Sequence, residues 1–156
     1  MNKAEKSGIK IAQFEPKYTN QVVKLIDSIL KELKVIPGGK KLINDEDLFK
    51  IPEVYSGKGN FWVALENNKV VGTVALRNLD QGKAKLNRMF VLSEFRGTGL
   101  AQILLGTALD FAKKQGFKEI VLNTHPLMTR AHRFYEKSGF KKAGTLRDKY
   151  FYKLIF

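Results

Sequence analysis

Apolar and polar positions change their period several times along this chain, and each change marks an element. Ile9-Lys10-Ile11-Ala12 alternates, as a short strand with one buried face does. Between Pro16 and Lys34, the residues Val22, Leu25, Ile26, Ile29, Leu30 and Leu33 recur at three and four, which predicts an amphipathic helix. Thr19 is placed to cap that helix and Pro37-Gly38-Gly39 to end it. Asn44-Asp45-Glu46-Asp47 predicts the acidic cap of a short helix that ends before Pro52. Phe61–Leu65 and Lys69–Leu76 are strand-length runs joined at Asn67-Asn68, hence a hairpin. After a turn at Asp80-Gln81-Gly82, the run containing Leu86 and Met89–Leu92 has little helical spacing and suits a buried strand. Leu100, Ile103, Leu104, Ala108 and Phe111 return to helical intervals, with Gly116 as the stop. A strand at Lys118–Leu122, a short helix at Ala131–Ser138 and two closing strands, Phe140–Thr145 and Lys149–Phe156, complete the pattern. The sum is a single α+β domain over residues 1–156, a mixed sheet with helices on both faces.

Composition narrows the class without deciding the function. At 156 residues, 44% hydrophobic and 28% charged, the chain reads as one globular domain able to bury a sizeable core. No apolar run approaches a membrane span, so no membrane is expected as a partner. Met1–Lys10 carries charges but no apolar core of a signal peptide, and a cytoplasmic location is the default expectation. Cysteine is absent, which excludes a disulfide framework and thiolate chemistry, and two scattered His make a metal site unexpected. The net charge is +13, and residues 111–156 hold 11 Lys/Arg against 3 Asp/Glu. Such a field attracts polyanions such as nucleic acid or a polyphosphate cofactor, and it also describes a lysine-rich solvated surface. Lys113, Lys114 and Lys118 flank the C-terminal end of the long helix, where cations are favoured anyway.

The chemistry gathers at Arg96-Gly97-Thr98-Gly99, between the central strand and the long helix. Glycines there let backbone approach a ligand closely, and the first turn of a helix offers unpaired N–H groups beside its positive dipole end. Together these make a phosphate cradle; on these residues alone a simple tight turn fits as well. A P-loop is excluded because no Gly-Lys-Ser/Thr follows, and the third glycine of a dinucleotide fingerprint is missing.

Two motifs add a resemblance. Arg96-x-x-Gly99-x-Ala101 resembles the acyl-CoA pyrophosphate loop of the GNAT N-acetyltransferase superfamily. Ala131-x-x-Phe134-Tyr135-Glu136-Lys137-x-Gly139-Phe140 is similar to that family's second signature, and the hairpin resembles its second and third strands, so the likeness covers roughly residues 60–141. It implies the GNAT fold and acetyl transfer from acetyl-CoA, a cosubstrate, to a small-molecule or peptide amine. It also implies pyrophosphate binding on the backbone N–H groups of Arg96, Gly97, Thr98, Gly99, Leu100 and Ala101. The pantetheine arm would run along Phe90 and Val91, with the Val91 amide facing the thioester oxygen. Tyr135 would protonate the departing thiolate, and a homodimer is compatible with the family. On the residues alone, Phe134 and Tyr135 read more readily as aromatic core on a short helix.

Two departures matter. Met128 stands where many relatives have Asn, so a polar contact is lost. The central strand opens Lys85-Leu86-Asn87-Arg88 where many place a Glu that acts as base through water. That leaves Glu66, Asp80 or bulk water as the base, with Asn87, His125 and Tyr150 as candidates for the acceptor side, although His125 reads more readily as a turn residue before Pro126. Two other classes stay open at this point: a non-catalytic acyl-CoA sensor, and a basic nucleic-acid accessory protein. Aromatics such as Phe61, Trp62, Phe151 and Tyr152 lie in strands, which fits core better than base stacking, so specific nucleic-acid binding is not expected.

Overall fold

Seven strands form one sheet in the order β1-β2-β3-β4-β5-β7-β6, and every strand except β4 against β5 pairs antiparallel. The computed structural model describes residues 8–33 and 46–156. Its strands are β1 (Lys10–Gln13), β2 (Asn60–Glu66), β3 (Lys69–Asn78), β4 (Lys83–Val91), β5 (Glu119–Thr124), β6 (Lys141–Leu146) and β7 (Lys149–Ile155). The helices are α1 (Thr19–Glu32), a single turn α2 (Ile51–Val54), α3 (Leu100–Lys114) and α4 (Thr129–Lys137), with 3-10 turns at Glu46–Phe49 and Ser93–Phe95 among the connections.

Strand alternation divides the core. Phe61, Val63, Leu65 and Ala75 face α1, where Val22, Leu25, Ile26 and Ile29 form the apolar stripe. Trp62, Ala64, Val74 and Leu76 face α3 and its Leu100, Leu104 and Ala108. Helices therefore cover both faces, as the two periods predicted. Gly72 lets α3 sit close to the sheet: a Cβ there would meet Leu104 Cδ1 at 3.0 Å and the Phe90 carbonyl at 3.2 Å.

Element identities follow the pattern, and differences lie at the ends. Thr19 is the first helical residue rather than the cap; Tyr18 stands at the N-cap, and the Thr19 hydroxyl donates to the Pro16 carbonyl at 2.8 Å. The short helix expected after the acidic cap is the 3-10 turn Glu46–Phe49, which does end before Pro52; Pro52 itself lies in the first turn of the separate α2, where no intrahelical N–H is needed. The expected stop at Pro37-Gly38-Gly39 and the caps Asn44 and Asp45 lie outside the described residues. Asn67 and Asn68 both have positive φ, as the hairpin turn requires, and Gly116 follows α3 at φ +85°. Among the described residues no helix is long and apolar enough to cross a membrane.

Candidate active site

β4 is the strand around which the site is built, because two irregularities expose it. The first is a break in pairing. Only Lys83, Ala84 and Lys85 pair with Glu119, Ile120 and Val121, after which β4 and β5 continue without pairing each other. The second is a bulge: the register against β3 shifts between Thr73 and Ala75, and Arg88 takes φ +54°. Thr73, fully buried, holds the bulge by donating its hydroxyl to the Arg88 carbonyl at 2.6 Å. Beyond it, Leu92 N–H bonds the Val71 carbonyl at 3.0 Å. Antiparallel alternation then turns the N–H and C=O of Val91 away from β3, toward the side that β5 has left open. The same alternation aims the peptide groups of Phe90 at Thr73, its register partner.

Two cavities open on this wedge and share Met89, Phe90, Met128, Ala131 and Tyr135. The smaller, about 510 Å³, is bordered by Val91, Phe95, Arg96, Gly97, Gly99, Ala101 and Gln102. In this turn Gly97 and Gly99 adopt φ +75° and +93°, the left-handed region that glycine enters without a Cβ clash. Of the six amides expected to bind pyrophosphate, those of Arg96, Thr98 and Leu100 make internal bonds at 3.2, 3.4 and 3.4 Å. Those of Gly97, Gly99 and Ala101, joined by that of Gln102, have no partner among the described residues. A row of open N–H donors at the start of α3 fits a diphosphate. The side chain of Arg96 is turned to Glu32 on α1 in an ion pair of 2.5 Å. Thr98 and Leu100 lie behind the turn rather than on the cavity wall.

Tyr135 lies where the cavities meet. It is only 6% exposed, its ring packs on Phe134 and Phe140 at 5.4 and 5.7 Å, and its hydroxyl has no hydrogen-bond partner among the described residues. Burial pushes this hydroxyl above its ordinary value, so it stays protonated at neutral pH.

The larger cavity, about 900 Å³, is lined by side chains from several elements. At its floor, Arg88 Nη2 and Nε donate to the two oxygens of Asp47 at 2.7 and 3.1 Å. Tyr55 donates to the same carboxylate at 2.7 Å, and Asn87 reaches the Tyr55 hydroxyl at 3.3 Å. Burial opposes charge on Asp47, but the bonds from Arg88 and Tyr55 outweigh it and hold the carboxyl below its usual range. Desolvation, and then the Asp47 carboxylate, push the Tyr55 hydroxyl up. Lys85 is pulled below its ordinary value by burial first and then by Lys149, Arg77 and Arg88.

Of the residues expected on the acceptor side, Asn87 and His125 line this cavity. Tyr150 does not: it packs against His132 at 5.0 Å with Lys142 over its ring at 3.6 Å. Glu66 lies at the β2–β3 hairpin and Asp80 in the β3–β4 turn, so neither borders the cavity as a base would have to. Asp47, Tyr55 and Arg88 carried no signal in sequence, because 41 positions separate Asp47 from Arg88 and no motif links them.

Comparison with known proteins completes the picture. The model of the acetyltransferase (GNAT) family matches residues 26–140. An acetyltransferase from Streptococcus agalactiae is 32% identical and superposes with a TM-score of 0.87, over 96% of this chain and 99% of that one. The PaiA N-acetyltransferase of Thermoplasma acidophilum, solved in complex with coenzyme A, shares the fold at a TM-score of 0.75 and 20% identity, covering 96% of this chain and 99% of its own. N-acetyltransferase 8F1 of Rattus norvegicus is 36% identical over 115 residues, which is 70% of this chain and 52% of that protein. The chain thus spans about half the length of that curated relative.

Proposed function

Because the chain belongs to the acetyltransferase (GNAT) family, we propose that it transfers an acetyl group from acetyl-CoA to a primary amine, by direct attack with both substrates bound. The observation that carries this is the meeting of the two cavities at Tyr135, one bordered by open backbone amides and the other by polar side chains. The donor supplies an acetyl group activated as a thioester.

Gly97, Gly99 and Ala101, with Gln102, are the N–H donors for the diphosphate, and hydrogen bonds to a charged group contribute roughly 1.5–3 kcal/mol each. The Arg96, Thr98 and Leu100 amides complete the turn that holds them. Phe90 gives surface on both sides of the wedge, and Val91, with its peptide groups on the open side of β4, guides the pantetheine arm and donates to the thioester oxygen. The acceptor nitrogen bonds to the acetyl carbon as the carbon–sulfur bond breaks, and Tyr135 gives its hydroxyl proton to the leaving thiolate. Asp47 is held as a carboxylate by Arg88 and Tyr55 and is a poor base. The acceptor therefore attacks as the free amine, and the proton its nitrogen releases on becoming an amide passes to water.

Tyr135→Phe tests this reading, because it keeps the ring against Phe134 and Phe140 and removes only the proton. With the best acceptor from an acetyl-CoA consumption screen, kcat is expected to fall at least about 10²-fold, with CoA affinity and Tm nearly unchanged. Equal rates would remove Tyr135 from the mechanism. Tight acetyl-CoA binding without turnover of any amine would make the protein an acyl-CoA sensor. The domain is expected to act as a single unit in the cytoplasm, with no specific nucleic-acid partner, and a homodimer is compatible with the reading.

A further inference from the structure

Resting on the acetyltransferase reading, we propose that the acceptor is a small amine bearing a carboxylate, which Arg77, Lys85 and Lys149 bind in the larger cavity. The register carries the first part of the argument. Arg77 and Lys85 are direct partners across β3 and β4, so their side chains leave the same face of the sheet. Lys149 opens β7, and all three border the same cavity. Opposed like charges on neighbouring strands are unfavourable, and nothing in the core requires them there.

The second part is the missing counter-charge. Among the described residues none of the three makes an ion pair. Among the described residues, the carboxylates that border the cavity are Asp47, already held by Arg88 and Tyr55, and Asp148, exposed on the β6–β7 turn. Lys85 is half-buried, so its repulsion from Lys149 and Arg77 is screened less than on an open surface. A bound anion relieves that repulsion, whereas a polycationic amine adds to it.

A third observation is independent of charge. Thr124, 6% exposed, borders the cavity from β5, and its Oγ1 is buried without a hydrogen-bond partner. A polar ligand seated beside it satisfies that hydroxyl, which an apolar one leaves unpaired. The volume of about 900 Å³ suits a small molecule.

The test is a matched series of amines. kcat/KM is measured for glycine, aspartate and glutamate, for glycinamide, for spermidine, and for phosphoethanolamine as the phosphate-bearing probe. The best amino acid is expected to exceed glycinamide and spermidine by about tenfold or more, the scale of one charge-assisted hydrogen bond. Lys85→Met, and separately the exposed pair Arg77→Gln/Lys149→Gln, should bring that ratio toward one while leaving KM for acetyl-CoA unchanged. Equal or better use of glycinamide or spermidine overturns the proposal, as does an undiminished ratio in both variants. Preference for phosphoethanolamine overturns the choice of carboxylate. If no amine turns over, the acetyltransferase reading fails, and calorimetry of glutamate against glycinamide on the CoA-bound protein decides the anion site by itself. Glutamate binding that Lys85→Met abolishes supports the site; no binding overturns it.

Discussion

The smaller cavity presents open backbone amides and the larger one side chains, although both open on the same five residues beside β4. On the α3 side the working groups are amides of one short turn, contiguous in sequence and shaped by two left-handed glycines. On the acceptor side they are Arg77, Lys85, Arg88, Asp47, Thr124 and Lys149, drawn from β3, β4, a 3-10 turn, β5 and β7. Under the proposed function, backbone recognition of a diphosphate tolerates wide variation in side chains. Side-chain recognition is free to change with the acceptor, since each residue can be exchanged without rebuilding the turn.

The largest effect is expected on the backbone side. Gly99→Val asks a β-branched residue to hold φ +93° at the entry to α3, a strained conformation, and brings a side chain toward the phosphates. CoA affinity should fall about 100-fold or more, the equivalent of losing one or two charge-assisted hydrogen bonds. Calorimetry that finds unchanged affinity in a folded variant would end the cradle assignment.

A smaller effect, with a different signature, is expected on the side-chain side. Asp47→Asn removes the charge of the carboxylate that Arg88, at the bulge of β4, pairs with at 2.7 Å. Stability should drop by about 2 kcal/mol, with acceptor kinetics affected and CoA affinity largely kept. The pH dependence has a fixed sign. Asp47 titrates below its ordinary value of 3.8 in the folded protein. Its contribution is therefore present above pH 3.8 and is lost as the pH falls from there through the lower folded value. Tm profiles of wild type and Asp47→Asn should converge below that point; parallel profiles down to pH 2 would show that the carboxylate contributes nothing by its charge.

The smallest effect tests whether the cradle is a matter of backbone at all. Arg96→Gln removes a guanidinium paired with Glu32 on the surface of α1, so stability should change by less than about 1 kcal/mol. CoA affinity should stay within about threefold, a free-energy difference below 1 kcal/mol. A loss beyond tenfold would mean that the side chain leaves Glu32 for a phosphate, and the contrast between the two cavities would narrow.

Local pattern determined much of this protein. The elements followed from hydrophobic periods, and Arg96-x-x-Gly99-x-Ala101 together with Ala131–Phe140 pointed to the family, because a backbone turn and a helix–turn signature are written in neighbouring residues. The position of Tyr135 on the short helix of that signature was legible for the same reason. Element ends were less so: Thr19 has a local preference for the cap, yet Tyr18 stands there because a 3-10 turn at Pro16–Tyr18 runs directly into α1. The parting of β4 from β5, the bulge closed by the Thr73 hydroxyl, and the charge cluster of Arg77, Lys85 and Lys149 were decided only in the tertiary structure. A lysine in a strand reads as solvated until the register sets an arginine opposite it, and Asp47 meets Arg88 only when the chain returns across the sheet. Pairwise electrostatics between distant positions leaves no period in a sequence, whereas burial of one face of a helix or strand does.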